Sequence, residues 1–389
     1  MIAIKNGKII TPGQIIEDKI LIIEQDRIYG FSDNTDGAER VVDAHGRYIM
    51  PGLIDTHSDK IEQFIQPRPT SQMDFEFALK VCERDLLGVG ITTMYHSISL
   101  FKDEFFGKSP LRTKDNVQKI ADLIASIHLR NHLIHHRFHL RIELDNLESY
   151  EIARDMIRQG KVHQISFMDH TPGQGQYNNF TLYADAITKY NGKEIEELGI
   201  DGVAEYHKNK PKLSFRQMKE LANLAHANGI AVASHDDDTD EKLMMNIKIG
   251  VDISEFPITQ EAAKSAKAHG FYTVVGAPNI LRGSSHSGNM SATDAILQDC
   301  ADIICSDYYP ATVLHSIFLM NLKHGVPLTQ MVNKATLNPA KAMRTDKDYG
   351  SIEPGKKADL LIVELLDGYP VITHVFVDGS VASRIEYRR

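Results

Sequence analysis

Short apolar runs, each ending on a histidine or a carboxylate, recur along this chain. That recurrence constrains its fold more than any other feature. Ile49-Met50-Pro51-Gly52-Leu53-Ile54-Asp55-Thr56 leads to His57-Ser58-Asp59, Leu140-Arg141-Ile142 to Glu143, and Ile165-Ser166-Phe167-Met168 to Asp169-His170. Ala231-Val232-Ala233-Ser234 leads to His235-Asp236-Asp237-Asp238, and Ile303-Ile304-Cys305-Ser306 to Asp307. The first run reads as one apolar strand entering a turn before His57. In an extended segment, residues i and i+2 point to the same side, so the His57 imidazole and the Asp59 carboxylate can converge on one divalent cation.

Further β-rich runs at 90–96, 252–256 and 272–276 bring the number of strands to eight. Helical stretches at 75–87, 117–128 and 214–228 lie between them, the first with apolar residues at Phe77, Val81 and Leu86 and their neighbours. Alternating strands and helices indicate a parallel sheet, and eight such units fit an α/β fold of the TIM (β/α)8 barrel type. Both ends of the chain differ from this. The segments 2–4, 20–23, 40–42, 359–363 and 373–379 are short β-rich runs separated by Gly, Asp and Asn turns. The expected architecture is a small β-sandwich domain built from both termini, residues 1–50 plus 346–389, around a barrel of residues 51–345.

Composition excludes several classes. A net charge of −9 over 389 residues argues against a general nucleic-acid binder. No stretch approaches the roughly 20 apolar residues that span a bilayer, and the N-terminal segment has no signal-peptide pattern. Cys82, Cys300 and Cys305 are odd in number and lack Cys-x-x-Cys spacing, so they read as free thiols in a reducing, cytoplasmic setting.

In a barrel of this type, functional groups sit at the C-terminal ends of the strands. His57, Asp59, Glu143, His170, His235 and Asp307 fall there and are the expected metal ligands, with Glu255 a further strand-end carboxylate. A donor set of nitrogen and oxygen without sulfur suits zinc, manganese, iron, nickel or magnesium. Six ligands exceed what one catalytic ion needs, so two divalent ions are expected, zinc or manganese first, with Glu143 as a bridging carboxylate. Asp307 is the expected catalytic residue, accepting a proton from water. Asp236, Asp237 and Asp238 have a plainer reading as caps of the next helix. The histidine-rich segment His128, His132, His135, His136 and His139 has no compact ligand spacing and reads as structural.

After the seventh strand, residues 276–289 combine glycines, hydroxyls, Arg282 and His286. Backbone N–H groups in such a loop can cradle phosphate, and an arginine can grip it bidentately. Lys60 and Arg68 would add positive charge above the barrel mouth, and Asp238 also lies on the substrate side.

Pro51-Gly52-Leu53-Ile54-Asp55 before His57, the segment 350–363 and the divided β domain resemble the amidohydrolase superfamily. Within it, His57-Ser58-Asp59-Lys60 with Pro67-Arg68-Pro69, and Met168-Asp169-His170-Thr171-Pro172-Gly173-Gln174, are similar to blocks of the PhnM family of phosphonate catabolism. So are Ser234-His235-Asp236-Asp237, Glu255-Phe256-Pro257, Gly276-Ala277-Pro278-Asn279, Ser285-His286-Ser287-Gly288-Asn289 and Ser306-Asp307-Tyr308. The resemblance covers essentially the whole chain. It implies a small phosphorylated substrate: water attacks the α-phosphorus of α-D-ribose 1-methylphosphonate 5-triphosphate, and pyrophosphate leaves. It leaves a homo-oligomer open. The chain departs from the superfamily in carrying His57-x-Asp59 where His-x-His is usual, Glu143 and His170 where a carboxylated lysine is common, and Glu255 where a histidine is common. Two rivals remain at this stage: a metal-dependent amidohydrolase for a cyclic amide or N-acyl substrate, and a non-catalytic scaffold on a degenerate barrel.

Overall fold

The structure is a computed structural model that describes residues 1–100, 110–171, 175, 192–283 and 290–388. Its centre is an eight-stranded parallel sheet: Leu53–Ser58, Ile91–Leu100, His135–Glu143, Gln164–Met168, Ala231–His235, Ile253–Glu255, Tyr272–Gly276 and Ile303–Cys305. Each strand pairs with its neighbour in chain order. The sheet closes into a barrel where Ser58 bridges Asp307 in parallel. There Asp307 N donates to His57 O at 2.9 Å, and Asp59 N donates to Asp307 O at 3.1 Å. Closure therefore uses the backbone of the strand-end residues themselves.

Alternation along each strand separates two apolar layers. Ile54, Tyr95, Ala231, Ala233, Ile253, Val274, Ile303 and Cys305 fill the barrel interior. The opposite faces, including Leu53, Ile98, Leu140, Ile142, Ile165 and Ile304, pack against the surrounding helices. The helix Phe75–Gly88 turns Phe75, Ala78, Leu79, Cys82 and Leu86 to that core. Phe77 is 59% exposed and Val81 37%, so these two lie on the outer side of the helix while Leu86 and their neighbours Ala78 and Cys82 are buried. A 3.6-residue repeat offers two overlapping apolar stripes here, and the one containing Leu79 and Cys82 is buried.

The termini form two facing sheets. One is four-stranded: Arg27–Ser32, Ile20–Glu24, Ile2–Lys5 and Arg40–Asp43 in spatial order. The other is six-stranded: Ser380–Arg384, Tyr369–Val377, Leu360–Leu366, Tyr48–Pro51, Lys8–Ile10 and Ile15–Ile16. Ile4, Leu21 and Ile23 from the first meet Ile9, Ile49, Leu360, Ile362 and Phe376 from the second. The apolar run from Ile49 is thus not one strand. Tyr48–Pro51 belongs to the sandwich, Leu53–Ser58 to the barrel, and Gly52 is the break, with no turn before His57. A Cβ on Gly52 would lie 2.2 Å from Thr92 Oγ1, so only glycine lets the two layers approach. No described helix is long and apolar enough to cross a membrane.

Candidate metal centre

Three side chains meet inside the barrel below its mouth: His57 of the first strand, His139 of the third and Glu255 of the sixth, all buried, with donor atoms within 4.8 Å of one another. His57 Nδ1 lies 3.1 Å from Glu255 Oε2, and His139 Nε2 lies 4.0 Å from it. The other Glu255 oxygen accepts from Gln164 Nε2 at 3.0 Å. His139 is fixed on both sides of its ring, by Ser97 Oγ at 2.9 Å and Thr56 O at 3.2 Å, and by Ser166 Oγ at 2.9 Å. Burial pushes the His139 imidazole down to about 3. Burial, the Arg141 charge and His235 hold His57 well below its ordinary range. Both rings are therefore neutral, the state in which imidazole ligates a metal.

A second layer lies at the strand ends. His235 packs beside His57 with ring centroids 5.5 Å apart, and the Phe256 ring covers both at 5.1 and 5.0 Å. His235 Nδ1 is 2.8 Å from Asp236 Oδ2. On the facing wall, His170 Nδ1 and Glu143 Oε2 make a 2.8 Å bond. Burial alone would lower His170, but the Glu143 charge and bond outweigh it and raise its pKa. Burial raises the Asp307 carboxyl to about 6, with Asp59 adding to the shift. Asp236, Phe256 and Asp307, which follow the fifth, sixth and eighth strands, all have left-handed backbone, φ 54°, 54° and 58°. Non-glycine residues adopt this conformation at a cost, and its recurrence at three strand ends aims their side chains around one mouth.

The donor chemistry fits a divalent cation. His57 Nδ1, Glu143 Oε1 and Glu255 Oε2 are buried atoms with no hydrogen-bond partner among the described residues. All are nitrogen or oxygen donors, and such atoms are costly to leave unsatisfied. Buried Glu255, facing the neutral His57 and His139 imidazoles, lacks a positive charge that a metal ion supplies.

Of the expected ligands, Glu143, His170, His235 and Asp307 ring the mouth, and His57 lies below it with Glu255. Asp59 is the residue preceding the helix Lys60–Ile65, and its carboxylate lies 4.0 Å from Arg112. Glu255, a secondary candidate by sequence, is at the centre. His139 was expected to be structural with the rest of the histidine-rich segment, and here it joins His57 and Glu255 instead. The signal was its spacing of four from Glu143 on one strand, which puts both on the inward face. Of the segment's other members, buried His136 meets His96 Nε2 at 2.9 Å, buried His135 lies 3.0 Å from Asp359, and half-buried His128 and His132 face each other at 3.4 Å. Asp237 does not cap the next helix; Thr239 does. It is buried and accepts from Ser234 and Ser254 hydroxyls at 2.5 Å and from Asn246 at 2.9 Å.

The substrate-side expectations fare differently. Asp238 Oδ2 accepts from Gly175 N at 2.8 Å. Lys60 bonds Gln63 at 3.1 Å, and Arg68 is exposed. The segment after the seventh strand opens not as a loop but as a short helix, Ala277–Arg282, that leaves Arg282 exposed at its end. Pro278 near its start and Gly283 after its end are ordinary helix punctuation, which the polar composition masked. His286 lies outside the described residues.

A closed (β/α)8 barrel with imidazoles and carboxylates gathered at the strand ends, flanked by a sandwich from both termini, defines a metal-dependent hydrolase scaffold. The chain belongs to the amidohydrolase family, whose model matches residues 48–383. It is 32% identical over 384 residues to the α-D-ribose 1-methylphosphonate 5-triphosphate diphosphatase of Escherichia coli (strain K12), covering 97% of this chain and 99% of that protein. A dihydroorotase of Clostridioides difficile (strain 630) is 37% identical over 97 residues, 24% of this chain and 21% of that enzyme. Among solved structures, N-acetylglucosamine-6-phosphate deacetylase from Pasteurella multocida matches with a TM-score of 0.65 at 13% identity, over 97% of this chain and 98% of that one. L-Hydantoinase from Arthrobacter aurescens matches at 0.64 and 14%, over 98% and 95%. These structural likenesses speak for the fold.

Proposed function

We propose that this enzyme hydrolyses α-D-ribose 1-methylphosphonate 5-triphosphate to 5-phospho-α-D-ribose 1-methylphosphonate and pyrophosphate. The observation that carries the reading is the end-to-end relationship to a protein named for that activity. The site chemistry supports it. Two divalent ions, zinc or manganese, would be held by His57, His139 and Glu255 below and by His235, Glu143, His170 and Asp307 at the mouth, with Asp59 at the rim. When bound, such ions polarise phosphoryl oxygens and make water more acidic.

The chain's own groups do the rest. Asp307, with its carboxyl raised to about 6, takes the proton from the attacking water. The Glu143–His170 pair holds its imidazole in one orientation, and Phe256 shields His57 and His235 from solvent. Hydrolysis of a phosphoric anhydride depends chiefly on positioning and charge neutralisation, so no nucleophilic side chain is required.

The test is pyrophosphate release by metal-reconstituted protein, run in solvent enriched in heavy oxygen. Attack at the α-phosphorus puts the label in the ribose 5-phosphate product and none in pyrophosphate. Turnover of a cyclic amide without triphosphate hydrolysis, or label in pyrophosphate, would overturn the reading.

A further inference from the structure

We infer that Arg141 and Ser99 form an anion subsite in the barrel mouth that holds phosphoryl oxygens of the substrate; naming the anion as phosphoryl rests on the function proposed above. Arg141 lies on the third strand between His139 and Glu143. Those two point into the barrel, so the two-residue period points Arg141 inward as well. It stands in register with Ser99 of the neighbouring strand, one step beyond the pair His139 and Ser97, whose side chains already touch inside the barrel at 2.9 Å. Arg141 and Ser99 therefore share the inward face at one level.

Both present an unused donor. Arg141 Nε and Ser99 Oγ are buried and have no hydrogen-bond partner among the described residues. The rest of the Arg141 side chain is only half-buried and reaches the mouth. Its charge is felt by His57, His170 and Asp307, yet no ion pair to it is found among the described residues. Other cations around the strand ends are committed. Arg112 binds Glu62 at 3.0 Å, Lys212 binds Asp169 at 2.9 Å, and Lys242 donates to the carbonyls of His235 and Asp236 at 3.0 and 2.9 Å.

A partly buried guanidinium without a counter-ion is unfavourable. One placed beside groups that gather metal ions is doubly so, unless an anion enters with the substrate. A neutral amide would bring none, whereas a triphosphate brings several negative charges. Guanidinium and hydroxyl donors side by side match the oxygens of a tetrahedral phosphoryl group. The subsite is more buried than the exposed Arg282, and its charge reaches the Asp307 carboxylate.

The test uses metal-loaded protein and sulfate, a tetrahedral dianion that does not strip metals. Calorimetry should show sulfate binding weakened at least tenfold in Arg141→Met, several-fold in Ser99→Ala, and less in Arg141→Lys than in Arg141→Met. Metal content should not change, and KM for the ribose triphosphate should rise at least tenfold in Arg141→Met. The melting temperature of the sulfate-free Arg141→Met protein should equal or exceed that of wild type, since an unpaired cation has been removed. Equal sulfate affinity in wild type and Arg141→Met, or a lowered melting temperature with affinity intact, would overturn the subsite. Loss of sulfate binding in the variant when wild type releases no pyrophosphate would uphold the subsite and overturn the substrate assignment instead.

Discussion

His57 Nδ1 and Glu255 Oε2 face each other at 3.1 Å inside the barrel without aligning as a hydrogen bond. His57 is held neutral by burial first and by the Arg141 charge second, so it offers the carboxylate no positive charge. A cation between them resolves both deficits. Glu255→Gln keeps the shape and the Gln164 contact on one side but removes the charge. Metal retained after dialysis, measured by elemental analysis, should fall by roughly tenfold or more, given that even partners of metal ligands are worth about 10–100-fold in affinity. Full retention in a folded variant would show that Glu255 serves the barrel's packing alone.

Asp307 combines two positions in one residue. Its backbone closes the barrel against His57, and its carboxyl, raised to about 6, faces the mouth. Asp307→Asn leaves the backbone bridge intact while removing the proton acceptor. The expected loss in kcat is about a hundredfold or more, the lower part of the range for general base catalysis. Metal content measured on the same sample separates loss of the base from loss of a ligand. Near-normal turnover with full metal would move the base to Asp236.

The barrel was legible because its strands are apolar runs with chemistry at their ends, a pattern that parallel sheets impose. The ends of the chain were legible because their alternating runs lie between glycine and aspartate turns. What the sequence concealed was depth. Glu255 and Asp237 are both strand-end carboxylates, yet one faces His57 and the other is enclosed by two serines and Asn246. Composition cannot tell a ligand from a structural anchor; which partners surround each oxygen decides it. His139 was hidden for the opposite reason, because four neighbouring histidines with other duties diluted its signal. The helix after the seventh strand was missed because Pro278 and Asn279 read as loop residues when they stand at a helix start.

Gly52 marks the border between sandwich and barrel. An added methyl would sit 2.2 Å from Thr92 Oγ1 and 2.8 Å from Thr92 Cβ. Gly52 N also donates to Asp359 O at 2.9 Å, tying the two layers. Gly52→Ala should therefore destabilise the fold by about 1–3 kcal/mol, the usual cost of overpacking. Adding Thr92→Ala should recover only part of that, because the Cβ remains in the way. Denaturant midpoints of the single and double variants read this directly. Full recovery would place the strain in the Thr92 hydroxyl and methyl alone.

His163 gives the protein an acid-sensitive contribution to stability. Its Nδ1 accepts the Phe138 N–H at 3.1 Å, which requires a neutral ring. Burial, and after it the Arg137 charge, pushes its pKa down from 6.5 to about 3. Above 6.5 neither the folded nor the unfolded state holds this proton, and the contribution is fully present. Between 6.5 and about 3 the unfolded chain takes up the proton while the folded one resists, so stability falls as pH falls. The slope is at most about 1.4 kcal/mol per pH unit for one group. His163→Asn can offer an amide oxygen to the same N–H but cannot titrate. Other buried histidines titrate alike in both proteins, so the difference isolates this residue. Urea unfolding between pH 7.5 and about 5 should give a shallower decline for the variant than for wild type. Parallel declines would mean that His163 takes up its proton equally in both states, and that the Phe138 contact contributes nothing to acid sensitivity.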